Sequence, residues 1–88
     1  MDNANILKET WIKVLEYATS PKQGTLSRKQ RKGVSIRINN DSYDNGVLFL
    51  GDVFVRITEN IDGMAYNTYY DWAKIKSIRT ISKIEDDK

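Results

Sequence analysis

Apolar residues near the start of the chain recur at intervals of three and four, the spacing of one face of an α-helix. This stripe consists of Ile6, Leu7, Trp11, Val14, Leu15 and Ala18. Asp2 or Asn3 can cap the start of the helix, and Pro21 pushes Ser20 out of the helical region. The pattern therefore predicts one amphipathic helix within residues 1–20.

After Gly33 the apolar period changes from 3.6 to 2, which is typical of half-buried β-strands. Clusters of turn-forming residues separate the alternating runs. The pattern predicts strands at 34–38, 46–50, 53–58, 64–72 and 76–81, with a short 3₁₀ turn at 73–75. One helix followed by five short strands indicates a mainly β domain, and both the SH3-like and the OB type of small barrel fit it.

Residues 21–32 show neither period, and Leu26 is the single apolar side chain among Lys, Gln, Gly, Thr, Ser and Arg. We predict that this segment is a basic linker. The chain then divides into a helix at 1–20, the linker, a barrel at 33–84 and an acidic tail at 85–88. All four parts belong to one domain, because 88 residues supply a single small core.

The distribution of charge is uneven, although the net charge is only +2. No acidic residue occurs between Tyr17 and Asn40, where six basic residues stand: Lys22, Arg28, Lys29, Arg31, Lys32 and Arg37. The rest of the chain carries a charge of −4. Such a basic segment indicates either contact with a polyanion or a solvated loop that keeps the domain soluble.

Missing residue types exclude several kinds of site. With neither His nor Cys, the chain has no His-based catalytic constellation, disulfide or thiolate zinc site. No Gly-rich phosphate motif occurs, so we expect no enzymatic activity and no cofactor or metal. No apolar run approaches the roughly 20 residues of a membrane span, and the first five residues are unlike a secretory signal. We therefore expect a cytoplasmic protein that does not contact a membrane.

The segment 33–81 resembles the Sm-like family, which includes bacterial Hfq. In the first Sm signature two glycines stand five residues apart, and here Asp41 occupies the first of these positions and Gly46 the second. Leu48 matches the buried aliphatic residue that follows. Residues 52–57, Asp-Val-Phe-Val-Arg-Ile, match the Asp-x-aromatic-x-x-aliphatic element without a gap.

The second Sm signature is matched in part. Residues 75–78, Ile-Lys-Ser-Ile, resemble the Ile-x-x-Ile at the start of the closing strand. Hfq proteins carry Tyr-Lys-His just before it, whereas residues 71–73 here are Asp-Trp-Ala. The Arg-Gly pair of eukaryotic and archaeal Sm proteins is absent.

The resemblance implies a five-stranded, strongly bent Sm-like (SH3-like) barrel that assembles into a homo-oligomeric ring, a hexamer or a heptamer, and binds single-stranded RNA. It implies that Phe54 stacks on a base, that Arg56 contacts a phosphate or stacks where Sm proteins usually have Asn, and that Asp52 orients its loop. Trp72 can replace the missing Lys-His group as a stacking platform. With the basic segment, the candidate nucleic-acid-binding residues are Phe54, Arg56, Trp72, Asp52, Lys29, Arg31, Lys32 and Arg37.

Two alternatives keep a small barrel but not the RNA. In one, the barrel is a non-catalytic scaffold for a protein partner, in agreement with the missing Lys-His pair. In the other, it is a monomeric SH3-like domain that binds a peptide in a groove of Tyr and Trp side chains. Phe54 and the tyrosines of the fourth predicted strand then belong to the core or to a subunit interface.

Overall fold

A computed structural model describes residues 3–84 of the chain, with side chains from residue 7 onward. Its elements, in chain order, are helix α1 (Asn3–Ala18), strands β1 (Thr19–Pro21), β2 (Arg28–Gln30), β3 (Val34–Ile38), β4 (Asp41–Tyr43), β5 (Val47–Leu50), β6 (Phe54–Ile61) and β7 (Met64–Asp71), a 3₁₀ turn (Trp72–Lys74) and strand β8 (Ile78–Ser82). Four predicted features lie outside the described backbone or side chains: the caps Asp2 and Asn3, the stripe residue Ile6 and the tail at 85–88.

The strands form two antiparallel sheets. A five-stranded sheet has the order β1-β2-β5-β6-β7, and a three-stranded sheet has the order β4-β3-β8. The prediction of a mainly β domain with one N-terminal helix is confirmed. In the described part of the chain, strand pairing does not join the two sheets into a closed barrel. The one α-helix described is not long and apolar enough to cross a membrane.

The predicted linker at 21–32 contains a strand. β2 forms within it and pairs with both β1 and β5. Three residues are too few to show an alternating pattern in the sequence. β2 forms because it pairs with neighbouring strands. Pro21 is accommodated because β1 lies at the edge of its sheet, where a missing N–H is tolerated.

The hairpin of β6 and β7 is longer than the pattern predicts. The predicted turn at 59–63 narrows to Asp62 and Gly63, which both have positive φ angles, of 54° and 79°. Two such residues form the type I′ turn that suits the twist of a two-residue hairpin, and Asp-Gly is a preferred pair for it. The strands on either side therefore reach eight residues each.

One apolar core joins both sheets and the helix. It consists of Leu15, Ala18, Ile36, Ile38, Tyr43, Leu48, Val55, Ile57, Trp72 and Ile75. Helix α1 packs against β3, β8, β1 and the 3₁₀ turn. Ile12, which lies off the helical stripe in the sequence, also contacts this core, whereas Leu7 on the stripe is exposed.

The end of α1 is held by two side chains. The buried hydroxyl of Thr19 donates to the carbonyl oxygen of Leu15 at 2.6 Å and accepts a hydrogen bond from Nε of Arg28 at 2.8 Å. Arg28 also donates to the carbonyl oxygen of Glu16 at 3.3 Å. A cation at this end of a helix satisfies free carbonyl groups and interacts favourably with the helix dipole. The Arg28 guanidinium thus supports the fold.

The side-chain amide of Gln30 connects the two sheets where the chain passes between them. Its Nε2 donates to the carbonyl oxygens of Val34, at 2.7 Å, and Tyr43, at 2.6 Å, and its Oε1 accepts from the backbone N–H of Gly46 at 2.9 Å. Gln30 is 5% exposed. We call this set of three hydrogen bonds the Gln30 bridge.

A second polar contact between the sheets involves two tyrosines. The hydroxyls of Tyr43 in β4 and Tyr70 in β7 lie 2.6 Å apart, and the Tyr70 hydroxyl donates to Asp41 at 3.0 Å. Burial raises the pKa of Tyr70 above its ordinary value, and the hydrogen bonds and charges of Tyr43 and Asp41 raise it further. Tyr70 is therefore a neutral donor that joins β7 to β4.

Replacing Gln30 with Leu tests the bridge. The variant leaves one buried N–H and two carbonyl groups without a partner, so we expect the free energy of unfolding to fall by about 1–3 kcal/mol. Urea denaturation followed by circular dichroism measures this loss. Gln23→Leu is the matched control because Gln23 is exposed in the β1–β2 loop. Equal stability of the two variants would contradict a structural role for the bridge.

Candidate nucleic-acid interface

The five-stranded sheet has one buried face and one outer face. Val55 and Ile57 of β6 are fully buried, so the alternate residues Phe54 and Arg56 point to the outer face. Residues directly opposite each other in paired strands share a face. Phe49 of β5 and Tyr69 of β7 both lie opposite Arg56, and they therefore stand beside it on the outer face.

These four side chains form one cluster, which we call the aromatic platform: Phe49, Phe54, Arg56 and Tyr69. The ring centroid of Phe54 lies 6.2 Å from that of Phe49 and 5.6 Å from that of Tyr69. The guanidinium carbon of Arg56 lies 5.4 Å from the Phe49 ring centroid, within the range of a cation–π contact. Tyr69 is 58% exposed, which leaves part of its ring open to solvent.

Arg56 carries an unused donor at the centre of the platform. Its Nε is buried and has no hydrogen-bond partner among the described residues. A buried donor without an acceptor is costly, and more so when it belongs to a charged group. Because this nitrogen has no exposed surface, an acceptor from outside the chain, such as a phosphate or base oxygen, reaches it only when the side chains around it move. The platform thus combines stacking surfaces with a cation.

Three of the predicted basic residues, Lys29, Arg31 and Lys32, lie close together at the end of β2. Lys29 of β2 is exposed and lies opposite Val47, which is the outward-facing residue two positions before Phe49. Arg31 and Lys32 follow Lys29, and both are exposed. All three line one groove at the end of β2. The structure therefore places Lys29 on the same face of the sheet as the platform, with Arg31 and Lys32 beside it in the groove.

Arg37 and Asp52 lie elsewhere. Arg37 is exposed on the outer face of the three-stranded sheet, where its Nε donates to the hydroxyl of Ser42 at 3.2 Å. Asp52 is exposed in the loop between β5 and β6. A backbone hydrogen bond of 2.8 Å from Gly51 N–H to the Phe54 carbonyl closes this loop. Neither residue belongs to the platform.

Trp72 is not a stacking surface in this structure. It is 3% exposed, and its indole N–H donates to the carbonyl oxygen of Gly51 at 2.9 Å. The 3₁₀ turn that it begins is capped by Asp71, whose carboxylate accepts from the Ala73 N–H. This turn packs Trp72 into the core against α1, so neither face of the indole is open to a base.

Sequence reasoning did not include Phe49 or Tyr69 among the site residues. On β7, Tyr69 shares its side of the strand with the polar residues Asn67 and Asp71, and an aromatic residue there was an available signal. β5 is apolar on both sides and gives no such signal for Phe49. What the sequence lacks is the register between strands. Only the pairing of Phe49 with Arg56, and of Arg56 with Tyr69, brings the three side chains together.

Truncating Phe54 tests whether this residue belongs to the platform or to the core. Phe54 is partly exposed and makes two ring contacts, so we expect Phe54→Ala to lower the free energy of unfolding by about 1–2 kcal/mol. Ile57→Ala is the control on the buried face of the same strand, with an expected loss of about 2–5 kcal/mol. Urea denaturation measures both. Equal losses would place Phe54 among the core residues, as the scaffold alternative expects.

Comparisons with known proteins give no evidence on function, so the aromatic platform is the main evidence. No family model, curated protein or solved structure matches this chain. The described residues contain no group of three or more acidic side chains that could hold a metal ion. The function is therefore argued from the geometry of the outer face.

Proposed function

We propose that this chain is a cytoplasmic, ring-forming Sm-like protein that binds single-stranded RNA without catalysis. The observation that carries the proposal is the aromatic platform, with its unpartnered Arg56 donor, on the outer face of the five-stranded sheet. Bases present flat apolar faces and the backbone presents anionic oxygens. A surface of aromatic rings around a cation fits both.

The order of strand pairing supports the Sm-like barrel. β2 and β3 follow each other closely and lie in different sheets, and so do β4 and β5. When each pair is taken as one bent strand, β1 is followed by five successive antiparallel strands in the described chain. The last of them, β8, pairs with the first through β3, and a 3₁₀ turn precedes it. This order supports the five-stranded, strongly bent barrel that the resemblance to Sm-like proteins implies.

The aromatic rings of the platform lie on strands, and this position suits stacking with RNA bases. Base–aromatic stacking contributes about 1–3 kcal/mol per base and tolerates any base. Strands hold Phe54 and Tyr69 at a constant spacing, so little conformational freedom is lost when a base binds. Arg56 follows Phe54 by two residues on β6 and lies opposite Tyr69, so it offers its charge to the backbone of the same strand of RNA. The platform therefore suits single-stranded RNA of varied sequence.

Tyr69→Ala tests the platform directly. Removing one exposed stacking ring should raise the Kd for a fluorescein-labelled dodecamer of uridine by about 5- to 150-fold, the equivalent of about 1–3 kcal/mol. Fluorescence anisotropy measures the affinity.

The matched control for this test is Tyr66→Ala. Tyr66 lies on the same strand, is 53% exposed and faces the opposite side of the sheet. Both variants should keep the wild-type mass and circular dichroism. If the two variants bind the dodecamer equally well, the platform is not the site.

The free edges of the sheets support assembly into a ring. β7 and β8 are both edge strands, and exposed edges favour pairing with another chain. Exposed apolar side chains accompany these edges, including Met64 on β7 and Ile81 on β8. Pairing of β7 in one subunit with β8 in the next would cover both edges and repeat around a ring.

Light scattering on protein freed of nucleic acid by high salt tests the ring. We expect a mass of six or seven times the 10.2 kDa of one chain. The absorbance ratio at 260 and 280 nm, recorded before and after the salt wash, should fall as bound RNA is removed. A mass of one chain at every protein concentration would contradict the ring.

A second candidate function is a scaffold for a protein partner. The observation in its favour is the end of the β6–β7 hairpin, where Ile61, Met64 and Tyr66 share one face and are 44%, 62% and 53% exposed. An apolar face of this kind is typical of a protein-interaction site. A monomeric chain that binds no RNA would favour this function over the first.

A further inference from the structure

A groove beside the platform has walls from three parts of the chain. It has a volume of about 560 Å³ and is lined by Ser20, Lys29, Gln30, Arg31, Lys32 and Asn45. Ser20 comes from β1, the basic residues come from β2 and the segment after it, and Asn45 comes from the link between β4 and β5. Three of the lining residues are cationic and none is acidic. We call it the basic groove.

The groove is preformed by contacts of its own residues. Gln30, which contributes to its lining, is held by the Gln30 bridge on three sides. The backbone N–H of Arg31 donates to the Ala18 carbonyl at the end of α1, at 2.9 Å. The Arg31 guanidinium lies 5.9 Å from the Tyr17 ring centroid, which orients it without neutralising its charge.

The acidic residues Asp44 and Glu59 line a separate pocket, which shares Asn45 with the groove. Asp44 is the acidic residue next to Asn45 in the chain, and its carboxylate accepts a hydrogen bond from the Ser35 hydroxyl at 2.6 Å. Ser35 belongs to the other sheet. The groove therefore offers positive charges together with the neutral polar side chains of Ser20 and Asn45, a combination that suits phosphate oxygens.

The groove and the platform belong to one sheet. Lys29 lies opposite Val47, and Val47 precedes Phe49 by two residues on the same outward side of β5. From β2 to β7 there are three steps between strands, about 14 Å at the usual spacing, and Lys29 is displaced from the level of Phe49 and Tyr69 by two residues along the strands, about 7 Å. A single strand of about four nucleotides or more, the lower end of what small barrels bind, can occupy both.

We infer that the basic groove binds the phosphates of the RNA strand whose bases stack on the aromatic platform, so that the strand crosses the sheet from β7 towards β2. This inference rests on the proposed function. It divides the contacts into two kinds. The aromatic rings of the platform contribute stacking, which is nearly independent of salt, and the groove, together with Arg56, contributes phosphate neutralisation, which depends on salt.

The test measures the Kd for the labelled uridine dodecamer by anisotropy from 0.1 to 1 M salt. The groove variant is Lys29→Gln with Lys32→Gln. Each phosphate neutralised on a single strand contributes about 0.7 to the slope of log K against log salt. The groove variant should lower the slope by about 1.4, which corresponds to about a 25-fold weaker Kd at 0.1 M salt and convergence with wild type near 1 M.

Two controls separate the possible causes. Lys74→Gln with Lys76→Gln makes the same change in net charge at exposed residues outside the groove, and it should leave the slope unchanged. Tyr69→Ala should weaken binding at every salt concentration and also leave the slope unchanged. Urea midpoints equal to that of wild type show that the lysine variants fold.

The outcomes distinguish the inference from the function that it rests on. A groove variant whose slope equals that of the Lys74 and Lys76 control overturns the groove and leaves the platform intact. If the groove variant lowers the slope but Tyr69→Ala has no effect, the groove binds phosphates but the platform fails, and the path of the RNA from β7 towards β2 fails with it. If wild type does not bind the dodecamer at any salt concentration, both fail.

Discussion

The Gln30 bridge is the contact on which the arrangement of the two sheets depends. Its three hydrogen bonds join β2 to the start of β3, the end of β4 and the residue before β5, which are the points where the chain passes from one sheet to the other. A side-chain amide suits this position because it supplies two donors and one acceptor on one short group. Gly46 is equally necessary, since a Cβ there would lie 2.9 Å from Cγ2 of Ile57.

The chain bends where β2 passes into β3 and where β4 passes into β5. These bends decide which of the alternating residues face the core. With both sheets held against one core, inward residues such as Leu48 and Ile57 are fully buried. Outward residues such as Phe49 and Arg56 are left on a face that no part of the described chain covers completely. The four side chains of the aromatic platform lie on this face and belong to neither the buried core nor the residues packed against it, and the RNA proposed above would stack on their rings.

Much of the fold could be predicted from the sequence, because strong local signals coincide with the real elements. The alternation at 34–38 corresponds to β3, and the Asp-Gly pair corresponds to the turn between β6 and β7. β2 was missed, because three residues show no periodicity. Trp72 was assigned to the RNA site because it stands next to the Sm-like closing strand, but the 3₁₀ turn directs it into the core.

The sequence by itself determined which residues alternate, where the chain turns and where positive charge is concentrated, since these depend on neighbours along the chain. It also singled out Phe54 and Arg56 through the resemblance to Sm-like proteins. Only the tertiary structure decided that Phe49 and Tyr69 join them and that Lys29, Arg31 and Lys32 line one groove. The reason is physical: these groupings depend on strand register and on hydrogen bonds between residues distant in sequence, and local patterns do not encode either.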